Sequence, residues 1–330
     1  MSTLLLSNED VGKLINLDEI YKAVEAGYAS FSSGSVVHAP IVDLFKPGRD
    51  EMFDYKFCLD EKAGFFAMKS SSGGFSGNIA KGMLPGFNLV YLFDAETSDC
   101  ACIMEGNYIR NLRTAAGAAI ANNYLARKDA SAYFAYGAGR IGKAAFRATA
   151  RIRDLKDVWV FGWMEGENEA FIREMQPDFP GIRFHSCASP EEGARNTDII
   201  VSVTLAKKGP VIRKEWLKRG THVTAIGADN PSKQELYADV LEGAKVVNDS
   251  VEEASVRGET YHAIKEGYLK KEDIHAEIGE IILGKKPGRE NDTEITVYDT
   301  VGMAIQDLSM AVCLYRKAQA AGIGTEFTFI

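Results

Sequence analysis

The stretch Ala130–Arg153, ASAYFAYGAGRIGKAAFRATARIR, decides the fold because it predicts a strand, a glycine turn and a helix in direct succession. Its aromatic residues suit a buried strand, and its alanine-rich second half continues as a helix. Gly137, Gly139 and Gly142 have the spacing G-x-G-x-x-G. Such glycines permit the tight turn, the approach of a pyrophosphate and close packing of helix on strand. The stretch therefore predicts a dinucleotide-binding turn, with the phosphates on free N–H groups at the helix start.

Length and composition favour an ordinary soluble protein with more than one core. The chain has 330 residues, and single cores stop growing near ~250–300 residues. Its net charge of −8 argues against nucleic acid or an anionic membrane as a partner. Five cysteines without metal-ligand spacing favour reduced thiols and no metal site. With no signal-peptide pattern and no apolar run long enough to span a bilayer, we expect a cytoplasmic protein.

From Ala132 onward, short β-rich runs alternate with helical segments, which predicts a parallel sheet covered on both faces. The expected strands are Val158–Phe161, Ile182–His185, Asp198–Val203, His222–Ile226 and Lys245–Val247. The expected helices between them are Glu167–Met175, Glu191–Arg195 and Lys233–Asp239.

The first part of the chain has a different pattern. An amphipathic helix is expected over Asp18–Phe31, and an alanine-rich helix over Asn111–Leu125. Strands are expected over Phe53–Leu59, Gly64–Lys69 and Phe87–Phe93. A long C-terminal helix, Met303–Ala321, is expected to pack back onto this first part. The sequence thus predicts an α/β fold in which a Rossmann-type domain, residues 129–302, is inserted into a discontinuous α+β domain made of residues 1–128 and 303–330.

Three residues have the chemistry that an enzyme acting on a small anion requires. Lys69 ends the apolar run GFFAM, and Arg113 opens the alanine-rich helix, so each is a candidate to bind a carboxylate. Asp229 follows the strand HVTAIGA, at the carboxyl edge where open α/β sheets bind ligands. Each has a plainer interpretation: Lys69 and Arg113 as solvated surface cations, and Asp229 as an Asx-turn residue that starts the next helix.

Several motifs together resemble the ornithine cyclodeaminase/μ-crystallin family over nearly the whole chain. The family includes ornithine cyclodeaminase, archaeal-type alanine dehydrogenase, ketimine reductases and opine-type dehydrogenases. The segments that carry the resemblance are GFFAMKSS, LPGFNLVYLFDAETS, IRNLRTAAGAAIANNYLAR, YGAGRIG, AIGADNPSKQEL and HAEIGEIILGKKPGRENDTEITVYDTVGMAIQD.

The resemblance implies a homodimer in which the discontinuous domain binds substrate and dimerises. Lys69 would contact the substrate carboxylate and the reacting nitrogen, and Arg113 would hold the carboxylate beside the cofactor. Asp229 would exchange protons with the amine, and Val301 would contact substrate. The implied cofactor residues are Arg113, Gly137, Gly139, Arg140, Ile141, Gly142, Thr204, Val223, Thr224, Ala225, Ile226, Lys233 and Thr300.

The chain departs from the cyclodeaminase pattern near the substrate. Where those enzymes carry an arginine after the N-terminal proline, Ile41 follows Pro40, and Lys46 is the nearest cation. Their glutamate for the side-chain amine of ornithine is matched by Lys56, and the threonine after Leu-Pro is matched by Gly86. A lysine would repel the ornithine ammonium, so we expect a neutral or acidic substrate.

The end of the second Rossmann strand is also unusual. Gly162 stands where an acid for the ribose 2′-hydroxyl is expected, and Trp163 follows it. No arginine for a 2′-phosphate is in place either. The nearby Glu165, Glu167 and Glu169 would repel a 2′-phosphate, which favours NAD, with NADP as the open alternative.

The sequence therefore predicts an NAD(P)-dependent oxidoreductase that interconverts an L-amino acid with its imino or 2-oxo acid. Two alternatives stay open. One is ornithine cyclodeaminase, in which NAD is reduced and reoxidised within one turnover. The other is a μ-crystallin-like protein that binds a dinucleotide and a small ligand. Lys56 argues against the first alternative, and the presence of Lys69, Arg113 and Asp229 together argues against the second.

Overall fold

A computed structural model describes residues 2–49, 51–204 and 209–329. In chain order the strands are β1 (Ser2–Leu6), β2 (Val36–His38), β3 (Val42–Phe45), β4 (Met52–Asp60), β5 (Phe65–Gly73), β6 (Asn88–Asp94), β7 (Cys100–Glu105), β8 (Ala132–Tyr136), β9 (Asp157–Phe161), β10 (Arg183–Ser186), β11 (Ile199–Ser202), β12 (His222–Ala225), β13 (Lys245–Asn248), β14 (Ala276–Glu277), β15 (Thr296–Asp299) and β16 (Thr325–Thr328). The α-helices are α1 (Asn8–Leu14), α2 (Leu17–Ser33), α3 (Asn107–Leu125), α4 (Arg140–Ala150), α5 (Glu167–Met175), α6 (Pro190–Asn196), α7 (Val251–Ala254), α8 (Gly258–Glu266), α9 (Ile278–Ile282) and α10 (Ala304–Ala321).

The chain divides into two compact units. The split unit comprises Met1–Arg113 and Met303–Ile330, and the inserted unit comprises Thr114–Gly302. No helix in the described ranges is both long enough and apolar enough to cross a membrane.

The split unit is built on a mixed sheet with the strand order β16-β1-β7-β6-β5-β4-β2, in which β3 also pairs with β4. The pair β1 and β7 is parallel, and its other pairs are antiparallel. Helix α10 packs on β4, β5 and β6 and also on α2. The two helices meet closely at Gly27, where an added Cβ would lie 2.1 Å from Ser309 Oγ. The packing of α10 explains why the end of the chain returns to the first unit, as expected for a discontinuous domain.

The inserted unit is a parallel sheet with the strand order β10-β9-β8-β11-β12-β15-β13-β14. Alternate side chains of β8 enter two different cores, with Tyr133 on one face and Phe134 on the other. This burial on both faces accounts for the continuously apolar strands. The strand order reverses direction at β8, which is the position where open α/β sheets bind dinucleotides.

The first division between the units falls earlier than the 128/129 boundary expected from the sequence. It lies inside α3, between Arg113 and Thr114. The second half of α3 belongs to the inserted unit because Ala115 and Ala118 enter its core, and the Asn122 side chain bonds to Thr149 and Thr224 there. A continuous helical pattern in the sequence hides such a division.

One expected helix is wrong. Residues 233–237 are not helical, and only the end of the expected helix overlaps a short 3₁₀ helix, Ala238–Leu241. The backbone N–H groups of this segment donate hydrogen bonds to residues outside it. Tyr237 N–H donates to Ile212 O, and the N–H groups of Glu235 and Leu236 donate to the Glu259 carboxylate. These bonds replace the ones that a helix would make.

Candidate active site

The glycine turn between β8 and α4 has the geometry that its spacing predicts. Gly137 has φ +120°, and an added Cβ would lie 2.2 Å from Val203 O. A Cβ on Gly142 would lie 1.9 Å from Gly137 O, so helix and turn pack too closely for any side chain. A Cβ on Gly139 would meet no atom within 4 Å. The middle glycine thus leaves open space over the turn, as the approach of a pyrophosphate requires.

The start of α4 can receive a phosphate. Gly139 is the N-cap residue, and no side chain caps the helix there. The uncapped first-turn N–H groups and the helix dipole favour an anion at this point. Arg140 is exposed at the first helical position, whereas Ile141 packs against the core. The residues of this turn fit the phosphates of a dinucleotide.

The loops that follow β11 and β12 both donate hydrogen bonds to one buried carboxylate. Glu235 accepts hydrogen bonds from the N–H groups of Thr204 and Gly227. Burial raises the pKa of Glu235 above its ordinary value, while the bonds from Thr204 oppose that shift. Sequence reasoning assigned Thr204 to the cofactor and overlooked Glu235, which fixes the Thr204 backbone at the carboxyl edge of the sheet.

The cofactor residues expected on β12 are more buried than that assignment implies. Val223 belongs to one core of the sheet, and the Thr224 hydroxyl bonds to Asn122 and His222. Ala225 is also buried, and Ile226 belongs to the opposite core from Val223. These side chains are therefore buried within the sheet, and the assignment of Val223, Thr224, Ala225 and Ile226 to the cofactor stays a prediction.

Asp229 lies in an irregular segment after β12, not at a helix start as the Asx-turn interpretation supposed. Its carboxylate forms an ion pair with Lys233, with Nζ 2.7 Å from Oδ1, and about half of its side chain is exposed. Lys233 contacts this acid, and its expected approach to the cofactor stays a prediction. A solvated carboxylate beside an ammonium can accept and return a proton.

Thr300 and Val301 are held by another buried acid, Asp249. The Thr300 hydroxyl donates to Asp249 Oδ2, and Gly302 N–H donates to the same oxygen at 2.9 Å. Val301 N–H donates to Oδ1 at 3.3 Å. Both side chains are almost fully buried. Their backbone is therefore rigid at the point where the chain leaves the inserted unit.

In the split unit, Lys69 and Arg113 share a single carboxylate, that of Asp307. Lys69 Nζ lies 3.0 Å from Oδ2, and Arg113 Nε lies 3.2 Å from Oδ1. All three side chains are at least nine-tenths buried. Neither cation is the solvated surface residue of the plainer interpretation.

In the cluster of Lys69, Arg113 and Asp307, the neighbouring charges shift the pKa values of Lys69 and Asp307. Burial lowers the pKa of Lys69 to about 8, although the neighbouring Asp307 opposes the shift. Burial also works against ionisation of Asp307, but the adjacent Lys69 and Arg113 outweigh it and lower the pKa of that carboxyl. Two cations and one anion leave one net positive charge, which suits one further carboxylate.

Gln306 completes the support of Arg113. Its Oε1 accepts from Arg113 Nη1 at 2.7 Å and from Met303 N–H at 2.9 Å, and its Nε2 donates to the Tyr28 hydroxyl. Sequence reasoning missed both Gln306 and Asp307. A signal was present, because an acid inside the apolar helix MAIQDLSMAV is rarely buried without a cationic partner.

Lys56 is directly opposite Lys69 in the antiparallel pair of β4 and β5. Directly opposed residues have side chains on the same face of a sheet, about 5 Å apart at Cβ. Lys56 is also buried, at 6% exposure. Lys56, which the resemblance matches to the cyclodeaminase glutamate, is therefore a neighbour of Lys69.

Comparisons with known proteins found relatives and solved structures that match the chain over all or nearly all of its length. Alanine dehydrogenase from Archaeoglobus fulgidus is 36% identical over 330 residues, covering 100% of this chain and 99% of its own. A solved archaeal alanine dehydrogenase dimer with bound NAD has a TM-score of 0.93 and 34% identity, with 100% of both chains covered. Δ1-pyrroline-2-carboxylate reductase from Thermococcus litoralis, solved with NADH and L-proline, has a TM-score of 0.92 and 30% identity, with 98% and 99% covered.

The family comparison covers almost the entire chain. A model of the family described as "Ornithine cyclodeaminase/mu-crystallin family" matches residues 1–322. The fold resemblance expected from the sequence motifs is thereby confirmed. The chain belongs to the ornithine cyclodeaminase/mu-crystallin family.

Proposed function

We propose that this protein is an NAD-dependent oxidoreductase that interconverts an L-amino acid with its imino or 2-oxo acid. The observation that carries the proposal is the buried cluster of Lys69, Arg113 and Asp307, whose single net positive charge suits an α-carboxylate. The open phosphate turn at Gly139 supports a dinucleotide. Relatives that act on alanine and on Δ1-pyrroline-2-carboxylate, and that bind NAD or NADH, support both halves of the proposal.

In this proposal the chain positions the substrate and moves a proton, and the nicotinamide supplies or accepts the hydride. Arg113 holds the carboxylate bidentately, and Lys69 neutralises it beside the reacting nitrogen. Asp229 exchanges a proton with the amine, which its exposure to solvent allows. The Asp307 carboxylate holds both cations in place without contacting the substrate.

A spectrophotometric panel tests the proposed function. L-alanine, L-proline and other neutral and acidic amino acids are offered with NAD, and the matching 2-oxo acids with ammonia, or cyclic imines, are offered with NADH. We expect a net change in NADH absorbance with at least one neutral or acidic substrate. Ammonia release from ornithine without net NADH change would instead establish the cyclodeaminase alternative. Tight dinucleotide binding with no turnover of any substrate would favour the μ-crystallin-like alternative.

The position of Lys56 supports a neutral or acidic side chain in the substrate. Lys56 neighbours Lys69, so an ornithine or lysine ammonium in this region would meet buried positive charge. At an effective dielectric of ~20, two cations roughly 4 Å apart repel by about 4 kcal/mol. Asp54 also acts on Lys69 electrostatically and offsets part of this positive field.

Replacing Lys56 tests this specificity. We expect Lys56→Glu to shift the ratio of kcat/KM values towards ornithine and lysine by at least about tenfold, since it reverses the local charge. Lys56→Met is the matched control, because it removes the charge but keeps the length of the side chain. An unchanged preference in both variants, measured with the same substrate panel, would remove Lys56 from substrate selection.

We also propose that the protein is a homodimer joined through the split unit. Several apolar side chains of this unit are each more than half exposed in the single chain: Val37, Leu44, Phe45, Ile79, Met83 and Phe87. Exposed apolar side chains of this number in one unit favour an interface with another protein surface. Sedimentation velocity should give twice the chain mass, and a monomer at micromolar concentration would contradict the proposal.

A further inference from the structure

The adenosine end of the dinucleotide turn lacks the acid that Rossmann enzymes place at the end of the second strand. That acid hydrogen-bonds the ribose hydroxyls and disfavours a 2′-phosphate. Here β9 ends at Phe161, and the next residue is Gly162. Gly162 does not have a positive φ, so its backbone does not require glycine. Another feature must explain why a side chain is missing.

That feature is Glu167, which occupies the space that a side chain at position 162 would need. A Cβ added to Gly162 would lie 2.5 Å from Glu167 Oε2 and 2.6 Å from Glu167 Cβ. It would also lie 3.1 Å from the Cβ of Ala138, which is part of the glycine turn. The Glu167 carboxylate therefore lies at the strand end, beside the dinucleotide turn, although its Cα is on α5.

The hydrogen bonds around Glu167 fix it there. Met164 N–H donates to Glu167 Oε2 at 3.0 Å. The neighbouring Asn168 accepts from Gly162 N–H at 2.7 Å and donates to Ser186 Oγ and Cys187 O. Asn168 thus ties the first turn of α5 to the ends of β9 and β10. Glu167 is held on a rigid element rather than on a free loop.

We propose that Glu167 is the ribose-binding carboxylate of this chain, replacing the missing acid at position 162 and selecting NAD over NADP. The proposal rests on the dinucleotide binding of the proposed function and adds the residue that discriminates between the two cofactors. The carboxylate accepts hydrogen bonds from the 2′- and 3′-hydroxyls of the adenosine ribose. A 2′-phosphate in the same place meets a like charge, and no residue from Gly162 to Glu169 is a cation that could pair with it.

Direct binding measurements on the whole protein test the proposal without relying on turnover. Dissociation constants for NADH and NADPH are measured by calorimetric titration for the wild type and for Glu167→Gln. Glu165→Gln is the matched control, because it removes one exposed carboxylate two residues away. We expect Glu167→Gln to weaken NADH binding by about 10-fold or more, the typical effect of losing hydrogen bonds to a charged group. NADPH binding should stay the same or improve, and the control should leave the ratio of the two constants unchanged.

A relocation experiment gives a second, independent test. Glu167→Gly removes the two shortest contacts to position 162 and leaves the 3.1 Å approach to Ala138 Cβ, which a small shift of the backbone can relieve. We expect Glu167→Gly to lose the preference for NADH and the double variant Gly162→Asp, Glu167→Gly to regain it. Thermal unfolding of each variant checks that the fold is kept.

The outcomes separate this proposal from the proposed function. Unchanged NADH and NADPH constants in Glu167→Gln, or an equal effect in Glu165→Gln, would overturn the role of Glu167 while leaving dinucleotide binding intact. Failure of the wild type to bind either nucleotide would overturn the proposed function, and the role of Glu167 with it.

Discussion

Lys69 shows how burial turns an ordinary residue into a reactive one. Its ammonium is almost completely removed from water, which lowers the pKa to about 8, and the negative charges of Asp307 and, to a smaller extent, Asp54 oppose that shift. The charged groups that act on Lys69 are Asp307 from α10, Arg113 from α3, and Lys56 and Asp54 from β4. A buried lysine with a lowered pKa is a candidate functional residue, which is consistent with the role proposed for Lys69.

Asp307→Asn should displace the alkaline limb of the pH profile. Since Asp307 raises the pKa of Lys69, its neutral replacement should lower that pKa further below 8. We expect the alkaline limb of kcat/KM to move to lower pH by about 1 unit or more. Asp307→Glu, which keeps the charge, should keep the limb near its wild-type position. A variant that loses activity equally at every pH would show that Asp307 has only a structural role.

Asp229→Asn should reduce turnover while leaving dinucleotide affinity unchanged. An amide of the same shape cannot take up a proton from the amine, and general acid–base catalysis contributes ~10²–10⁴-fold. Steady-state kcat with the preferred substrate and NADH titration together measure the two effects. Lys233→Met is the control, since it breaks the ion pair but keeps the carboxylate. Turnover of Asp229→Asn within a few-fold of the wild type would exclude Asp229 from proton transfer.

At the residue scale, the structure brings together Lys69 and Arg113, two of the candidate residues taken from the sequence, and the role of Asp229 stays a prediction. Lys69, Arg113 and Asp229 could be named from their places beside strands and helices and from the family motifs. Asp307 and Gln306 were missed. The acid within an apolar helix was a signal, but its partners depend on α10 packing on β5, which brings together residues distant in the chain. The fully buried Glu235 and Asp249 were missed for the same reason, since their partners are backbone N–H groups of other loops.

Among the elements, the glycine turn contains glycines that are required for two different reasons: the packing of the protein itself, and the approach of a ligand. Gly137 and Gly142 are required by the protein itself, because side chains there would meet backbone atoms. Gly139 is not required by the protein, because the space above it is open. The close approach of a ligand is therefore the reason that explains Gly139.

Gly139→Val should therefore keep the fold and lose the cofactor. The valine methyl groups enter open space in the free protein but fill the volume that a pyrophosphate needs. We expect the melting temperature to remain near that of the wild type and NADH affinity to fall by about 100-fold or more. Gly142→Ala is the contrasting variant, since its Cβ would lie 1.9 Å from Gly137 O and should lower stability first. Unchanged NADH affinity in folded Gly139→Val would mean that the turn binds no phosphate.

Buried carboxylates accept hydrogen bonds from the loops at the carboxyl edge of the inserted sheet. Ionising these carboxylates in the folded protein lowers its stability, because their charge is removed from water. Asp299 accepts from Thr260 N–H at 2.8 Å, and Glu259 accepts from two further N–H groups. Burial raises the pKa of Asp299 to about 7, and nearby Asp249 adds to the shift. Burial also raises the pKa of Glu259, to which Asp299 contributes. The loops at this edge are thus held by acids that resist ionisation.

This arrangement predicts a distinct pH dependence for Asp299→Asn. An acid whose pKa is raised in the folded state contributes stability that is present at low pH and is lost as pH rises from about 4 to about 7. The amide keeps the acceptor for Thr260 but has no charge to bury. We expect the variant to be more stable than the wild type at pH 8 by about 1–3 kcal/mol, with the difference vanishing near pH 4. Urea unfolding at both pH values measures this, and a less stable variant at pH 8 would contradict the assigned protonation.

For the whole molecule, the sequence predicted a Rossmann-type unit inserted into a discontinuous second unit, and the strand order and the family relationship agree with that fold. The division between the units was not predictable, because α3 runs through it without a break in helical pattern. The missing helix at 233–239 has the same origin, since distant partners overrode local preference. The local sequence pattern predicted most helices and strands, whereas long-range contacts determined which unit each segment belongs to and where a predicted helix does not form.

Transfer of a labelled hydride tests the proposed chemistry most directly. The protein is incubated with NADH carrying deuterium at C4, in separate 4R and 4S forms, and with the imino or 2-oxo acid that the panel identifies. The proposed function predicts that one of the two forms gives an amino acid with a single deuterium at Cα, and that one NADH is consumed for each product molecule. Product without deuterium from both forms, or product formed without net NADH consumption, would contradict the assignment of this chain as an amino-acid oxidoreductase.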